Sequence, residues 1–366
     1  MKPLLFIVPA LPSPPTTGGE IFNQHLREGL AARFDLTTVT LKDLGLDGAA
    51  TPDQLAAGLA TFTVGRVKPG LVFIDTYLYR NGGPAIERLR SLGFGPIVGF
   101  GQAWYPGRYR SMLSRFRVRR ALAAFLKRCD HHVVVSEALR SDCIRAGIPA
   151  ASIDTALPGF DLAASIPARA PRRPGPLRVR TAGTYMEAKG QHLLVEAVER
   201  LAARDPNLFA TMTVEAIGPK SQTPEYVREL ESRAAKLPPG LLRLTDSMPQ
   251  ADLWRAFQDT DVFVFPAAGE GLGMVVLEAM LCGAFPVVSP DGPLREIVGE
   301  DGDAGRVVPR SADAIARALR ELAASPDLER LREAAYRRAL SMAPTWTESI
   351  DRVAGGLLRA GHTAPA

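Results

Sequence analysis

The stretch DVFVFPAAGEGLGMVVLEAMLCGAFPVVSP (residues 261–290) holds two apolar runs separated by a glycine-rich turn and a helical pattern. DVFVFP (261–266) and FPVVSP (285–290) are short and apolar without alternation, which predicts strands covered on both faces. Between them, Gly269, Gly271 and Gly273 predict a turn. Met274, Val275, Leu277 and Met280 then form the apolar side of a helix over 273–282. Gly283 supplies its C-cap. Strand, helix and strand in that order predict one βαβ unit of a parallel sheet.

The same alternation continues on both sides. Toward the N-terminus it predicts strands at 4–11, 35–41, 70–75, 96–100 and 131–136, with helices at 20–34 and 137–147. LLFIVPAL (4–11) follows a single lysine and is broken by Pro9, so it reads as a buried first strand rather than a leader peptide. AASIPARAPRRPGPLR (163–178) has four prolines and no apolar period, and reads as an inter-domain linker. Beyond it, strands at 177–183, 211–218, 241–246, 261–266 and 285–290 alternate with helices at 191–204, 223–237, 273–282 and 311–324. WTESIDRVAGGLLRAG (346–361) is a last helix that follows Pro344. The expected fold is α/β, two Rossmann-like doubly wound domains facing a cleft. They span 1–165 and 166–343, and the helix of 344–366 returns to pack on the first. A chain of 366 residues suits about two domains.

Hydrophobic residues make up 46% and charged residues 23%, which excludes disordered and collagen-like chains. No apolar run approaches the roughly 20 residues a membrane-spanning helix needs. Three cysteines (Cys129, Cys143, Cys282) form no disulfide framework and point to a reducing, cytoplasmic setting. The net charge of +5 raises nucleic acid and anionic membranes as partners. It is unevenly spread, with +6 on residues 1–165. The segment 101–130 holds eight basic residues and one acidic, together with Trp104, Tyr105, Tyr109, Phe116 and Phe125. No nucleic-acid recognition motif accompanies it, which argues against nucleic acid. Two readings stay open, a solvated helix and a peripheral contact with an anionic membrane or an anionic acceptor.

Ligands of open parallel sheets sit at the carboxyl ends of strands, and four segments bring glycine or polar groups there. TTGGE (16–20) places Gly18 and Gly19 between the first strand and the first helix, where backbone can approach an anion. AGTYMEAKGQH (182–192) sets Lys189 beside Gly190 and ahead of a helix, a place where an ammonium holds phosphate. The turn at 265–273 carries Glu270, and Glu278 follows in the helix. Eight helical residues would rise about 12 Å. Glycosidase carboxylates stand roughly 5–9.5 Å apart, so the two glutamates read as separate grips on one long ligand. In SPDGPLREIV (289–298), Pro290, Gly292 and Pro293 precede a helix start that can face a phosphate. Asp259/Asp261 and Asp301/Asp303 share metal-ligand spacing, but turn chemistry explains both, and no metal is expected.

At these residues the sequence resembles glycosyltransferase family 4, retaining enzymes of GT-B fold that use nucleotide sugars. Glu270 and Glu278, with seven residues between, match that family's pair of glutamates, and 261–288 matches almost throughout. GGE (18–20), KG (189–190), SEALR (136–140) and PLREIV (293–298) support the match. The resemblance implies that Glu278 hydrogen-bonds the nucleotide ribose and Glu270 contacts the transferred sugar. It implies that backbone N–H groups from Gly271 through Leu272, Gly273, Met274 and Val275 hold sugar and diphosphate. Lys189 would neutralise the leaving diphosphate, with Gly183 and Thr184 beside it, and Gly18 and Gly19 would close over it from the first domain. Glu270 and Lys189 are then the catalytic pair. No cofactor is implied, because the nucleotide-diphospho-sugar is the substrate.

Three positions depart from the family. Thr184 stands where an arginine is usual, which removes one positive charge from the diphosphate site. Gln102 stands where the first domain usually presents a histidine, so Gln102, Trp104 and Tyr105 are the acceptor-side candidates. Pro158-Gly159 replaces Pro-Asn-Gly. His131 and His132 lie in a strand context and read as structural. The expected function is retaining transfer of a sugar from a nucleotide-diphospho-sugar to a lipid, surface glycan or small molecule. A non-catalytic relative that binds nucleotide sugar or glycan is the alternative, and a sugar-nucleotide epimerase of the same architecture ranks behind it.

Overall fold

The computed structural model describes all residues except 14, 16, 104–110, 161–168, 206–207, 300–301 and 364–366, and the side chains of 115, 208–209 and 362–363. The chain divides into two compact units. Unit 1 is Met1–Phe160 with Pro344–Ala366, and unit 2 is Asp161–Ala343.

Unit 1 runs β1 (Pro3–Val8), α1 (Gly18–Ala31), β2 (Asp35–Thr40), α2 (Pro52–Thr63), β3 (Leu71–Asp75), α3 (Gly82–Ser91), β4 (Ile97–Gly101), α4 (Met112–Leu126), β5 (His131–Val134), α5 (Glu137–Arg145) and β6 (Ile153–Thr155). Its strands are all parallel in the order β2-β1-β3-β4-β5-β6. Central strands β3, β4 and β5 are buried at every position, including the polar Asp75, His131 and His132 among their apolar residues. Phe6 on β1 pairs with Phe73 on β3, and their rings stack 5.2 Å apart.

Unit 2 runs β7 (Leu177–Ala182), α6 (Gln191–Arg204), α7 (Leu208–Thr211), β8 (Met212–Ile217), α8 (Pro224–Ala234), β9 (Leu242–Thr245), α9 (Gln250–Gln258), β10 (Val262–Phe265), α10 (Met274–Leu281), β11 (Phe285–Val288), α11 (Gly292–Val298), β12 (Arg306–Val307), α12 (Ala312–Ala323) and α13 (Leu328–Met342). The parallel order is β12-β11-β10-β7-β8-β9. The order reverses between β7 and β10, so the loops after those two strands flank the topological switch point, where open α/β sheets bind ligands. In unit 1 the reversal falls between β1 and β3.

α14 (Trp346–Thr363) packs within unit 1. Val353 and Leu357 are fully buried, and Ile350 fills the space beside Gly29 of α1, where a Cβ would meet it at 2.4 Å. Trp346 stacks on His25 at 3.7 Å. Arg33 bonds Asp351, and Arg359 bonds Asp154. Asp154 also meets His131 Nε2 at 2.7 Å. His132 is buried on β5, and burial lowers its imidazole to about 4. Among the described residues, no helix is long and apolar enough to cross a membrane.

Two expectations change. Asp259 and Asp261 are not explained by turn chemistry. Asp261 is fully buried and accepts from the Arg178 backbone N–H at 2.9 Å and from its guanidinium, with Arg172 and Arg332 alongside. The pair neutralises an arginine cluster that ties the start of β7 to α13. Asp303 pairs with Arg330, and Asp301 lies outside the described residues. Gly18 and Gly19 are the first turn of α1 rather than a loop ahead of it, because Thr17 and Glu20 close a capping box around them. The boundary expected at 165/166 lies outside the described residues.

Candidate functional site

In unit 2 the loops after β7 and β10 are joined by several contacts. Ala268 N–H donates to the Ala188 carbonyl at 2.8 Å. Gly190 lies so close to Pro266 that a Cβ would stand 2.5 Å from its carbonyl oxygen, and its φ of +80° favours glycine as well. Arg310, beyond β12, spans both loops, with Nε donating to the Pro266 carbonyl at 2.9 Å and Nη2 to the Glu187 carbonyl. Gln191, buried at the start of α6, donates to the carbonyls of Gly183 and Thr184 and so fixes the turn behind Lys189.

These contacts bring Lys189 and Glu270 together. Lys189 Nζ donates to Glu270 Oε1 at 2.6 Å, and their side chains are 18% and 8% exposed, so the pair is largely desolvated. The Lys189 ammonium also sits 5.3 Å from the centre of the Phe265 ring. Glu270 N–H donates to Asp291 Oδ2 at 2.9 Å, which anchors the glycine-rich turn to the N-cap of α11. Burial and the nearby Glu270 charge raise the Asp291 carboxyl against hydrogen bonds that lower it.

Gly271 and Leu272 are buried. Gly273 then caps α10 with φ +95°, a left-handed conformation, and no side chain caps this end. The first N–H groups of α10, those of Met274 and Val275, have no intrahelical acceptor. Glu278 lies one turn into α10. Only the four steps from Met274 are helical, a rise of about 6 Å. The 12 Å expected from an all-helical span is therefore not the geometry. The two glutamates nevertheless have separate partners. Glu270 is held by Lys189, while Glu278 accepts from Gln250 Nε2 of α9 at 3.1 Å. Burial pushes the Glu278 carboxyl up to about 7, against the hydrogen bond from Gln250 that lowers it.

Thr184 brings no cation to this edge. Among the described residues, Lys189 and Arg310 bring cations to the two loops. Arg310, Asp291 and Gln250 were not singled out from the sequence. Arg310 follows a two-residue strand that alternation cannot detect, and Gln250 acts from a neighbouring helix. Asp291 had a usable signal, an aspartate directly ahead of Gly-Pro at a helix start.

Unit 1 carries a second polar cluster at its own switch point. Gln102 Nε2, just past β4, donates to Asp75 Oδ2 at 2.8 Å and to Asn23 Oδ1 at 2.9 Å. Asp75 ends β3, is 1% exposed, and also accepts the Tyr77 N–H. Burial raises its carboxyl to about 6, although these hydrogen bonds lower it. With both amide hydrogens used, the Gln102 carbonyl oxygen turns to α1 and would stand 2.8 Å from a Cβ at Gly19. Trp104 and Tyr105 lie outside the described residues. Among the described residues, no cluster of His, Cys, Asp and Glu has the makings of a metal site.

Residues 166–338 match the family model described as Glycosyl transferases group 1. D-inositol 3-phosphate glycosyltransferase of Geodermatophilus obscurus is 34% identical over 189 residues, 50% of this chain and 39% of that protein. Phosphatidyl-myo-inositol mannosyltransferase of Mycolicibacterium smegmatis is 34% identical over 140 residues, 37% of this chain and 33% of its own. The chain thus spans well under half the length of these curated relatives. Among solved structures, HepE of Anabaena, in complex with UDP and glucose, superposes with a TM-score of 0.72 at 18% identity, covering 98% of this chain and all of that one. Sucrose-phosphate synthase of Thermosynechococcus elongatus superposes with a TM-score of 0.78 at 17% identity over the full length of both chains. The chain has the GT-B fold of these proteins, and its unit 2 carries the match to the group 1 glycosyl transferases.

Proposed function

We propose that the protein is a retaining glycosyltransferase that moves a sugar from a nucleotide-diphospho-sugar to a hydroxyl acceptor. The observation that carries this reading is the Lys189–Glu270 pair, held at the switch point of unit 2 beside the uncapped start of α10. Departure of the leaving group builds negative charge on a diphosphate. An ammonium and helix N-terminal amides stabilise that charge without a metal. Lys189 then transfers its hydrogen bond from Glu270 to the diphosphate. The freed Glu270 carboxylate favours the oxocarbenium-like sugar, and Glu278 accepts from the ribose. The acceptor oxygen bonds the anomeric carbon on the face from which the diphosphate departs and gives its proton to the departing phosphate oxygen, which results in retention. Gln102, anchored by Asp75 and Asn23, belongs to the acceptor side. The relatives named above support a phosphorylated or lipid-linked polyol as acceptor class, within the wider range of lipids, glycans and small molecules. Three free thiols support a cytoplasmic setting.

Thr184 favours one second reading, a relative that binds the nucleotide sugar without turning it over, because a charge usual at the diphosphate is missing. Incubation with a panel of nucleotide sugars, with and without candidate acceptors, separates the two. Nucleoside diphosphate release from one donor, with the anomeric configuration kept in the product, supports transfer. Donor binding with no release supports the second reading.

A further inference from the structure

α4 of unit 1 presents its apolar residues on two opposite sides. Val118, Leu122, Phe125 and Leu126 are buried against the unit. Met112, Leu113 and Phe116, at the start of the helix, are 86%, 61% and 62% exposed. At about 100° per residue, Met112, Leu113, Phe116, Arg117, Arg119 and Arg120 fall within an arc of about 160°, with Arg119 at its edge, across the helix from the buried stripe. Arg117, Arg119 and Arg120 are exposed, and none of them is paired with a described carboxylate. The only acidic residue of 101–130, Asp130, is engaged by Arg90 and by the Ile97 N–H.

We infer that this face of α4 docks on an anionic lipid bilayer. Met112, Leu113 and Phe116 enter the boundary between headgroups and acyl chains, and the guanidinium groups of Arg117, Arg119 and Arg120 meet lipid phosphates. Charge complementarity selects the occupant. A surface this basic repels a second copy of itself, and no nucleic-acid motif accompanies it. Outward aliphatic and aromatic side chains beside arginines are the chemistry that binds the membrane interface. The contact is independent of the transfer reaction and stands or falls separately from it. Where both hold, an acceptor carried by a lipid is delivered to unit 1.

The test is co-sedimentation of the full chain with vesicles of phosphatidylcholine alone and of phosphatidylcholine mixed with phosphatidylglycerol, at low and high salt. Binding to the mixed vesicles, weakened by salt and absent on the neutral ones, is the expected result. Arg117→Glu/Arg119→Glu/Arg120→Glu should weaken it by roughly a hundredfold or more, at about fivefold per lost cation. Met112→Ser/Leu113→Ser/Phe116→Ser, all at exposed positions, should weaken it at least about tenfold with an unchanged melting temperature. No binding to mixed vesicles overturns the inference. So does binding that both variants retain, or a serine variant that changes only the oligomeric state, which would identify a second copy as the occupant.

Discussion

Replacing Lys189 with methionine keeps an apolar stem over Phe265 and removes the ammonium from Glu270. At 2.6 Å and an effective dielectric near 20, the pair's Coulomb attraction is about 6 kcal/mol. Desolvation of both ions offsets much of that gain, so the pair itself adds little net stability. Breaking it has a different cost, because Glu270 stays 8% exposed without its counter-charge. Such losses run about 3–5 kcal/mol, and the 18% exposure of Lys189 places this one near about 3. In a unit of this size that lowers Tm by roughly 6–12 °C. Glu270→Gln alone should lower it less, since the remaining lysine can reach water. Lys189→Met/Glu270→Gln should recover most of the loss, since no charge is then stranded. Turnover behaves otherwise. It should fall by about 10²–10³-fold in Lys189→Met and stay low in the double variant. Thermal unfolding followed by circular dichroism, with nucleoside diphosphate release on the same samples, reads both. A double variant as unstable as the sum of the singles, or one with recovered turnover, would refute the reasoning.

Glu278 gives a pH prediction. Burial holds its folded-state carboxyl near 7 against an ordinary value of 4.5, so the folded chain keeps a proton that the unfolded chain releases. Stability from this group is complete below about pH 4.5 and is lost as pH rises to about 7, a total of about 3 kcal/mol. Glu278→Gln should flatten that slope in urea titrations across the window. Gly190→Ala places a Cβ 2.5 Å from the Pro266 carbonyl at a positive φ and should lower stability by about 2–4 kcal/mol in the same assay. Asp75→Ala frees Gln102; steady-state kinetics should show acceptor KM raised about tenfold and donor KM unchanged. Removing 345–366 exposes the core under Val353 and Leu357, each worth about 1.5–3 kcal/mol, and should abolish cooperative unfolding of unit 1 by differential scanning calorimetry.

Both parallel sheets were legible because β1, β3, β4, β10 and β11 are short apolar runs and parallel pairing requires helices between them, whereas β7 alternates through Arg178 and Arg180. The run FPVVSP and the glycines ahead of Met274 fixed one βαβ unit, and the others repeat it. The edge elements were not legible. β6 and β12 have three and two residues, too few for a period, and α13 buries Arg332 beside Ala335 and Ala339, so no apolar period marks its inner face. At the site, glycine spacing and the two glutamates drew attention to the turn after β10, and Lys189 to the turn after β7. What spacing does not encode is which side chains meet across 81 residues of chain. The Lys189–Glu270 pair, the Arg310 strap and the Asp261 arginine cluster are products of strand order. Gln102 illustrates the same limit. Its position after β4 was readable, but its anchors Asp75 and Asn23 come from β3 and α1.

Calorimetric titration of UDP, GDP and ADP into the parent protein and Lys189→Met tests whether the turn around Lys189 and Glu270 is a nucleoside diphosphate site. The account predicts that one of the three binds the parent and binds Lys189→Met at least about tenfold more weakly. Equal affinity for both proteins, or no binding of any of the three to the parent, would contradict it.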